Sequence, residues 1–198
     1  MKQLIIILSV ILFIVYAGRA QTVNPIQQKR ADSERLKKMV GKWLVTMSLR
    51  PTPDAAPLIQ KGLVADRSMV GDFCLNESMH PGSVTKIPAF QRISDLAYNV
   101  NENRWDYMSV DTRITAGIMY FMNFESNQDS ITSYIISFPY PGFGPDLIGR
   151  GQAVYSRNVI IKIDDDHDIV KQYWRLTDKP EWLAVQYEYT RQSNPTGR

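Results

Sequence analysis

The sequence contains few of the residues that disulfides, metal centres and acid–base catalysis require. It has one cysteine, Cys74, and two histidines, His80 and His167. A single cysteine excludes an intramolecular disulfide, so ordinary packing must stabilise the folded chain. Two histidines far apart in the sequence offer little material for a transition-metal site, and we predict no metal site.

Motifs of the common catalytic classes are also missing. There is no Gly-x-Ser-x-Gly nucleophile motif, no P-loop and no dinucleotide-binding Gly-x-Gly-x-x-Gly motif between a strand and a helix. The acidic run at residues 164–168 lacks the glycine bend and the distant glutamate of a calcium-binding loop, and we interpret it as a solvated turn. The sequence therefore favours a protein that is not an enzyme, with no catalytic residues and no cofactor.

The chain has no large excess of one charge sign. Its formal net charge is +3 at pH 7, and Lys2 and Arg19 contribute two of these three charges. Proteins that bind nucleic acid or anionic membranes need clustered Lys and Arg. We therefore predict that nucleic acid is not a partner, and that a membrane is not a partner of the chain without its first twenty residues.

Those first twenty residues have the features of a secretory signal peptide. Lys2 supplies a positive charge, residues 4–17 form an apolar run, and Gly18 and Ala20 form a small-x-small cleavage site. The apolar run is shorter than the roughly 20 residues that usually span a bilayer. We predict a signal peptide over residues 1–20 and an exported protein, periplasmic or secreted. A retained membrane anchor is the alternative.

The remaining length suits one domain. We divide it into a flexible segment over residues 21–31, a single barrel domain over residues 32–192 and a disordered tail over residues 193–198. Asp32 or Ser33 is a suitable cap for a short helix with Leu36 and Met39 on one face. We therefore expect the domain to open with a short helix.

Short β-rich runs separated by turn residues follow this helix. In residues 42–50, Trp43, Val45 and Met47 alternate with polar side chains, which indicates a half-buried strand. Comparable runs occupy residues 59–69, 73–79, 90–98, 104–111, 117–125, 130–138, 152–163, 168–176 and 182–191. Because consecutive strands joined by short turns usually pair, we predict an all-β, antiparallel up-and-down barrel of about nine to ten strands. A sandwich is the alternative.

The start of the first strand resembles a known family signature. The Gly-x-Trp sequence at residues 41–43, after a short helix, is similar to the start of lipocalin barrels. In that family the tryptophan closes the barrel floor, and an arginine near the last strand packs across its indole. The resemblance implies that Gly41, Trp43 and Arg191 close the barrel.

A longer stretch, residues 36–191, resembles an uncharacterised bacterial lipocalin-like family, a domain of unknown function. The matching motifs are Lys61-Gly62, Gly71-Asp72-Phe73, Tyr98-Asn99 with Asp111, and the final Tyr189-Thr190-Arg191. The resemblance implies a lipocalin-like barrel and assigns no activity.

The interior of such a barrel is the candidate ligand site. We predict that it is lined by Met47, Phe73, Leu75, Glu77, Trp105, Tyr107, Asp111, Tyr120 and Tyr187. An apolar lining with a few polar groups is typical of a site for a small apolar or amphipathic molecule. Glu77 and Asp111 would lie among apolar side chains, so each needs an ionic partner or a ligand head group.

Three further functions stay open from the sequence. A haem-binding barrel would use His80, which lies near a strand end, as its iron ligand. An enzyme would use Glu77 or Asp111 as a base with a raised pKa. A barrel with a filled interior would bind a partner through Tyr140 and Phe143. If the barrel is a carrier, the Gly/Pro-rich residues 139–149 are a flap beside its mouth.

Overall fold

The computed structural model describes residues 25–83, 88–102, 104–114, 117–126, 130–140, 142, 150–177 and 179–193. These residues form a helix, Pro25–Lys37, and ten strands: β1 Gly41–Leu49, β2 Leu58–Val70, β3 Cys74–Pro81, β4 Arg92–Asn99, β5 Arg104–Asp111, β6 Ile118–Ser126, β7 Ser130–Pro139, β8 Ala153–Lys162, β9 His167–Leu176 and β10 Trp182–Arg191. Within this part of the chain, no helix is long and apolar enough to span a membrane. The predicted signal peptide and nearly all of the predicted tail lie outside the described residues.

The ten strands form a closed antiparallel barrel. Each strand pairs with its neighbours in sequence, and β1 pairs with both β2 and β10. Closure leaves neither terminal strand with an unpaired edge. The predicted all-β barrel with a short N-terminal helix is therefore confirmed.

Two-residue alternation decides which side chains enter the barrel. In β1, Trp43, Val45 and Met47 are buried, and in β5 the inward residues include Trp105 and Tyr107. These side chains belong to one continuous apolar core inside the barrel. The alternation seen in the sequence thus corresponds to the two faces of the sheet.

A bulge in β10 changes this alternation. The pairing of β10 with β9 shifts between Leu183 and Val185, and both Ala184 and Val185 are buried. Strict alternation predicts that Leu183 faces the interior, but this side chain is only partly buried, between the buried Trp182 and Ala184. One extra residue in a strand reverses the facing of the residues beyond it.

Two predicted lining residues lie outside the barrel. Phe73 is in the three-residue turn between β2 and β3 and is 53% exposed. Tyr120 is 45% exposed, because the inward residues of β6 are Met119, Phe121 and Asn123. The prediction that Phe73 and Tyr120 line the interior is wrong for these reasons.

The helix lies at the barrel end where β1 begins and β10 ends; we call this the helix end and the opposite one the distal end. Leu36 and Met39 are buried there. The helix begins at Pro25, a residue favoured at a first helical position, and not at Asp32. Residues 25–31, predicted to be flexible, are therefore helical.

Candidate functional site

Arg191 fastens the helix end of the barrel. Its guanidinium donates to the carbonyl oxygens of Lys38 and Val40 at 2.6 and 2.5 Å, and its carbon lies 4.3 Å from the centroid of a ring of Trp43. Trp43 and Arg191 are also paired across β1 and β10. The Trp43 indole N–H donates to the Met39 carbonyl oxygen at 3.0 Å. These contacts hold the segment after the helix against the strand pair that closes the barrel.

A buried ionic network extends through the barrel interior from this end toward the distal end. Arg67 donates to Glu77 at 2.8 Å and to Asp168 at 2.5 Å, and all three side chains are at most 8% exposed. A second arginine, Arg92, lies 3.5 Å from the other oxygen of Glu77. Two positive and two negative charges therefore compensate one another away from water, and this attraction offsets the free energy of removing them from water.

Glu77 is held ionised by this network. Burial alone would raise the pKa of its carboxyl, but the charges of Arg67 and Arg92 outweigh burial and lower that pKa. Burial and the charge of Glu77 raise the pKa of Tyr189, whose phenol donates to Glu77 at 3.2 Å. A base that acts near neutral pH needs a raised carboxyl pKa. Glu77 lacks this property. Of the two bases proposed for an enzyme, Glu77 and Asp111, the first is therefore unsuitable.

The network borders a small internal cavity of about 30 Å³. Arg92 and Asn158 line it, and within the described part of the chain Arg92 Nη1 and both polar side-chain atoms of Asn158 are buried without a hydrogen-bond partner. A water molecule needs roughly 10–15 Å³ of such space. The cavity is therefore suited to about two waters and is too small for an organic ligand.

A larger cavity of about 210 Å³ lies at the distal end. Most of its lining is apolar, and many of its lining residues lie near the distal ends of the strands. The lining residues are Met47, Leu49, Pro51, Gln60, Asp111, Arg113, Ile114, Tyr140, Gly142, Gln172, Trp174, Val185 and Tyr187.

Aromatic side chains build one wall of this distal cavity. The rings of Tyr140 and Trp174 meet edge to face with centroids 5.9 Å apart, and Trp174 meets Trp182 in the same way at 6.3 Å. The Tyr140 hydroxyl donates to the Pro51 carbonyl oxygen at 3.0 Å, and the Trp182 indole donates to that of Arg50 at 3.0 Å. Ring contacts and anchored polar tips together make this wall rigid.

Among the described residues that line the distal cavity, the charged ones are Asp111 and Arg113. Arg113 donates through Nε at 2.9 Å and Nη2 at 2.6 Å to the two oxygens of Asp111, which is a bidentate pair. Its remaining nitrogen, Nη1, lies 3.7 Å from the Met47 sulfur, and its guanidinium carbon lies 3.7 Å from the centroid of the Phe90 ring. The pair is thus fixed in orientation and contributes no net charge.

Two glutamines add neutral polar groups to the same cavity. The side-chain oxygen of Gln60 is buried and has no hydrogen-bond partner among the described residues. Gln60 pairs with Met47 across β1 and β2, and Gln172 pairs with Val185 across β9 and β10. The cavity therefore combines an apolar body with several polar atoms, which is the usual character of a small-molecule site.

The predicted lining residues divide between the two ends. Met47, Asp111 and Tyr187 line the distal cavity, whereas Leu75, Glu77 and Tyr107 line the small cavity beside the ionic network. Trp105 is buried near the helix, with the Arg35 guanidinium 5.7 Å from its ring centroid, and lines neither cavity. The structure therefore places in the distal cavity only part of the set predicted from the sequence.

Sequence reasoning missed Gln60, Arg113 and Trp174. Arg113 follows Asp111 by two residues, and this spacing was a usable signal for an ion pair. Gln60 gave no signal, because a bulge between Val45 and Met47 shifts its pairing with β1. Trp174 follows the inward alternation of β9 and was open to prediction from the strand pattern.

His80 and Tyr140 do not lie where a haem site or a surface contact would require them. His80 faces the outside of β3: its ring is 44% exposed and lies 3.4 Å from Asp66. It is therefore out of reach of a haem held inside the barrel. Tyr140, predicted to be a surface contact, is buried. Phe143 and most of the predicted flap lie outside the described residues.

Comparison with known proteins gives a family for the chain. No curated protein matches it. A family model described as "Protein of unknown function (DUF1579)" matches residues 28–191. Because this match covers most of the chain, including the helix end, the ionic network and the distal cavity, the protein belongs to the DUF1579 family, a family of unknown function.

Proposed function

We propose that the protein binds a small apolar or amphipathic molecule in the distal cavity and performs no covalent chemistry on it. The observation that carries this proposal is the cavity of about 210 Å³ with a mostly apolar lining. An engineered apolar cavity of about 150 Å³ is large enough to bind benzene. The distal cavity therefore suits a single-ring or short branched molecule and is too small for haem or a long acyl chain.

The rest of the interior supports a carrier over a catalyst. Asp111 is engaged by Arg113 through both oxygens, and Glu77 is ionised and paired away from this cavity. Neither carboxylate is thus free to take a proton from a bound molecule. The leader-like residues 1–20 support the further proposal that the carrier acts outside the cytoplasm.

The expected affinity is modest because the ligand is small. Burying about 200 Å² of apolar surface contributes on the order of 5 kcal/mol. Because lost translational and rotational freedom offsets part of this contribution, we expect a dissociation constant on the order of 1 mM for a simple aromatic probe. A natural ligand that also uses the polar groups would bind more tightly.

The proposal is tested by calorimetric titration with toluene, followed by a crystal structure of the complex. Val185→Trp should abolish binding, because Val185 is 5% exposed and a larger side chain there would fill the cavity. Val70→Trp is the matched control, since Val70 is 55% exposed. A toluene affinity unchanged in Val185→Trp, or ligand density anywhere except the distal cavity, would overturn the proposal. So would the absence of any binding to the wild type.

A further inference from the structure

The polar groups of the distal cavity indicate the kind of head group its ligand carries. We propose, on the basis of the binding function above, that the cavity selects small single-ring molecules with an uncharged hydroxyl head, such as phenols, over hydrocarbons and over carboxylates. Charge balance and unpartnered polar atoms support the uncharged hydroxyl head, and the aromatic wall supports the ring.

Charge balance disfavours an ionised ligand. Nε and Nη2 of Arg113 already donate to Asp111, which is 3% exposed and also accepts from the Arg113 backbone N–H at 2.9 Å. A ligand carboxylate would have to displace Asp111 or lie beside its negative charge. Deeper in the barrel, Arg92 is compensated by Glu77. No net positive charge is therefore left, among the described residues that line the cavity, to attract an anion.

Neutral hydrogen-bonding capacity, in contrast, is unused. Gln60 Oε1 is buried without a partner, and the amide of Gln172 makes no hydrogen bond within the part of the chain that the structure describes. Arg113 Nη1 meets only the weakly accepting sulfur of Met47. A hydroxyl both donates and accepts, so one such group suits an amide oxygen and a guanidinium nitrogen together.

Strand register brings these groups to neighbouring positions. Met47 pairs with Gln60 on one side and with Tyr187 on the other, and its sulfur is in contact with Arg113. The four side chains line one cavity. The head group is thus expected in this row, with the ring of the ligand against the wall that contains Trp174.

Three probes that share a ring and a methyl group test the inference: toluene, p-cresol and 4-methylbenzoate, each titrated into the full-length protein at pH 7. We expect p-cresol to bind about tenfold more tightly than toluene, the gain typical of one additional hydrogen bond. We expect 4-methylbenzoate to bind at least about tenfold more weakly than p-cresol, since an unpaired buried charge is costly.

Two variants test whether Gln60 causes the preference for p-cresol over toluene. Gln60→Leu should reduce p-cresol affinity to about that of toluene while toluene affinity is kept. Gln186→Leu is the matched control, because the Gln186 amide bonds Glu188 on the outer face of β10. If toluene and p-cresol bind the wild type equally, or if 4-methylbenzoate binds most tightly, the head-group inference is overturned and the carrier function stands. If none of the probes binds, the carrier function itself fails.

Discussion

Single side chains at the helix end join parts of the chain that are far apart in sequence. Two arginines contact the Trp43 indole: Arg191, and Arg67, whose guanidinium carbon is 4.9 Å from a ring centroid. Arg191 also donates to the Asp165 carbonyl oxygen at 2.9 Å. Its planar group thus reaches the segment after the helix and the turn before β9. A lysine could not supply this set of directed donors.

Gly41 provides the space that Arg191 needs. Its φ of +135° is rarely adopted by other residues, and an added Cβ would lie 2.7 Å from Arg191 Nη1. We expect Gly41→Ala to lower the free energy of unfolding by about 2–3 kcal/mol, from backbone strain plus displacement of Arg191. Urea denaturation measures the loss.

Gly117→Ala is the control for strain alone. Gly117 has a φ of +72°, but no described neighbour lies within 4 Å of an added Cβ. We expect this variant to lose only about 1 kcal/mol. Equal losses in the two variants would show that the contact with Arg191 contributes nothing.

The strands could be predicted from the sequence because the two-residue alternation of apolar side chains and the positions of turn-forming residues indicate the same strand bounds. The bounds predicted for β5 and β10, residues 104–111 and 182–191, match those observed. Which side chains face the barrel interior was less predictable. The β10 bulge reverses the alternation at Leu183, and in β6 both faces are apolar, so that Tyr120 looked as suitable for the interior as Phe121.

Asn123 shows why the inward face of β6 was not evident. It is 4% exposed, and its amide group bonds the Thr132 carbonyl oxygen near the register shift between β6 and β7. A buried polar side chain can bond a backbone group where the pairing of two strands is irregular. In the sequence, such a residue looks like one of the outer face. Gln60 gave no sign that it borders the distal cavity, because the register shift between β1 and β2 changes its pairing.

The helix acts as a plug whose contribution to stability depends on its buried face. Leu36 is fully buried, whereas Lys37 is exposed and pairs with Glu34 at 2.9 Å. We expect Leu36→Ala to lower the free energy of unfolding by about 2–4 kcal/mol, because it leaves a cavity in the packed end. Lys37→Ala should cost less than about 0.5 kcal/mol. Chemical denaturation of both variants measures this, and a small loss in Leu36→Ala would mean that the helix does not pack against the barrel.

For the whole molecule, the interior contains a buried ionic network and, at the distal end, the larger of the two cavities described above. The ionic network of Arg67, Glu77, Arg92 and Asp168 joins β2, β3, β4 and β9 across the barrel, and it extends from Asp168 near the helix end to Arg92 at the distal start of β4. Beyond this network, toward the distal end, lie the ion pair of Asp111 and Arg113 and the larger cavity. The larger cavity and the ionic network are therefore separate parts of the interior, which is consistent with a barrel that binds a ligand at its distal end.

The buried ionic network makes the stability of the whole barrel sensitive to acid. The pKa of Glu77 in the folded state lies below its ordinary value near 4.5, so its stabilising contribution is complete above pH 4.5 and is lost as the pH falls through the folded-state pKa. We expect Glu77→Gln to lower the free energy of unfolding by about 3 kcal/mol at pH 7, because both arginines lose part of their compensation. The difference from wild type should shrink as the pH falls below 4.5. Urea denaturation between pH 7 and pH 3 measures both effects, with the exposed Glu188→Gln as control. A difference that stays constant down to pH 3 would mean that folding does not lower the pKa of Glu77, and the compensated network would then be an incorrect description of the barrel interior.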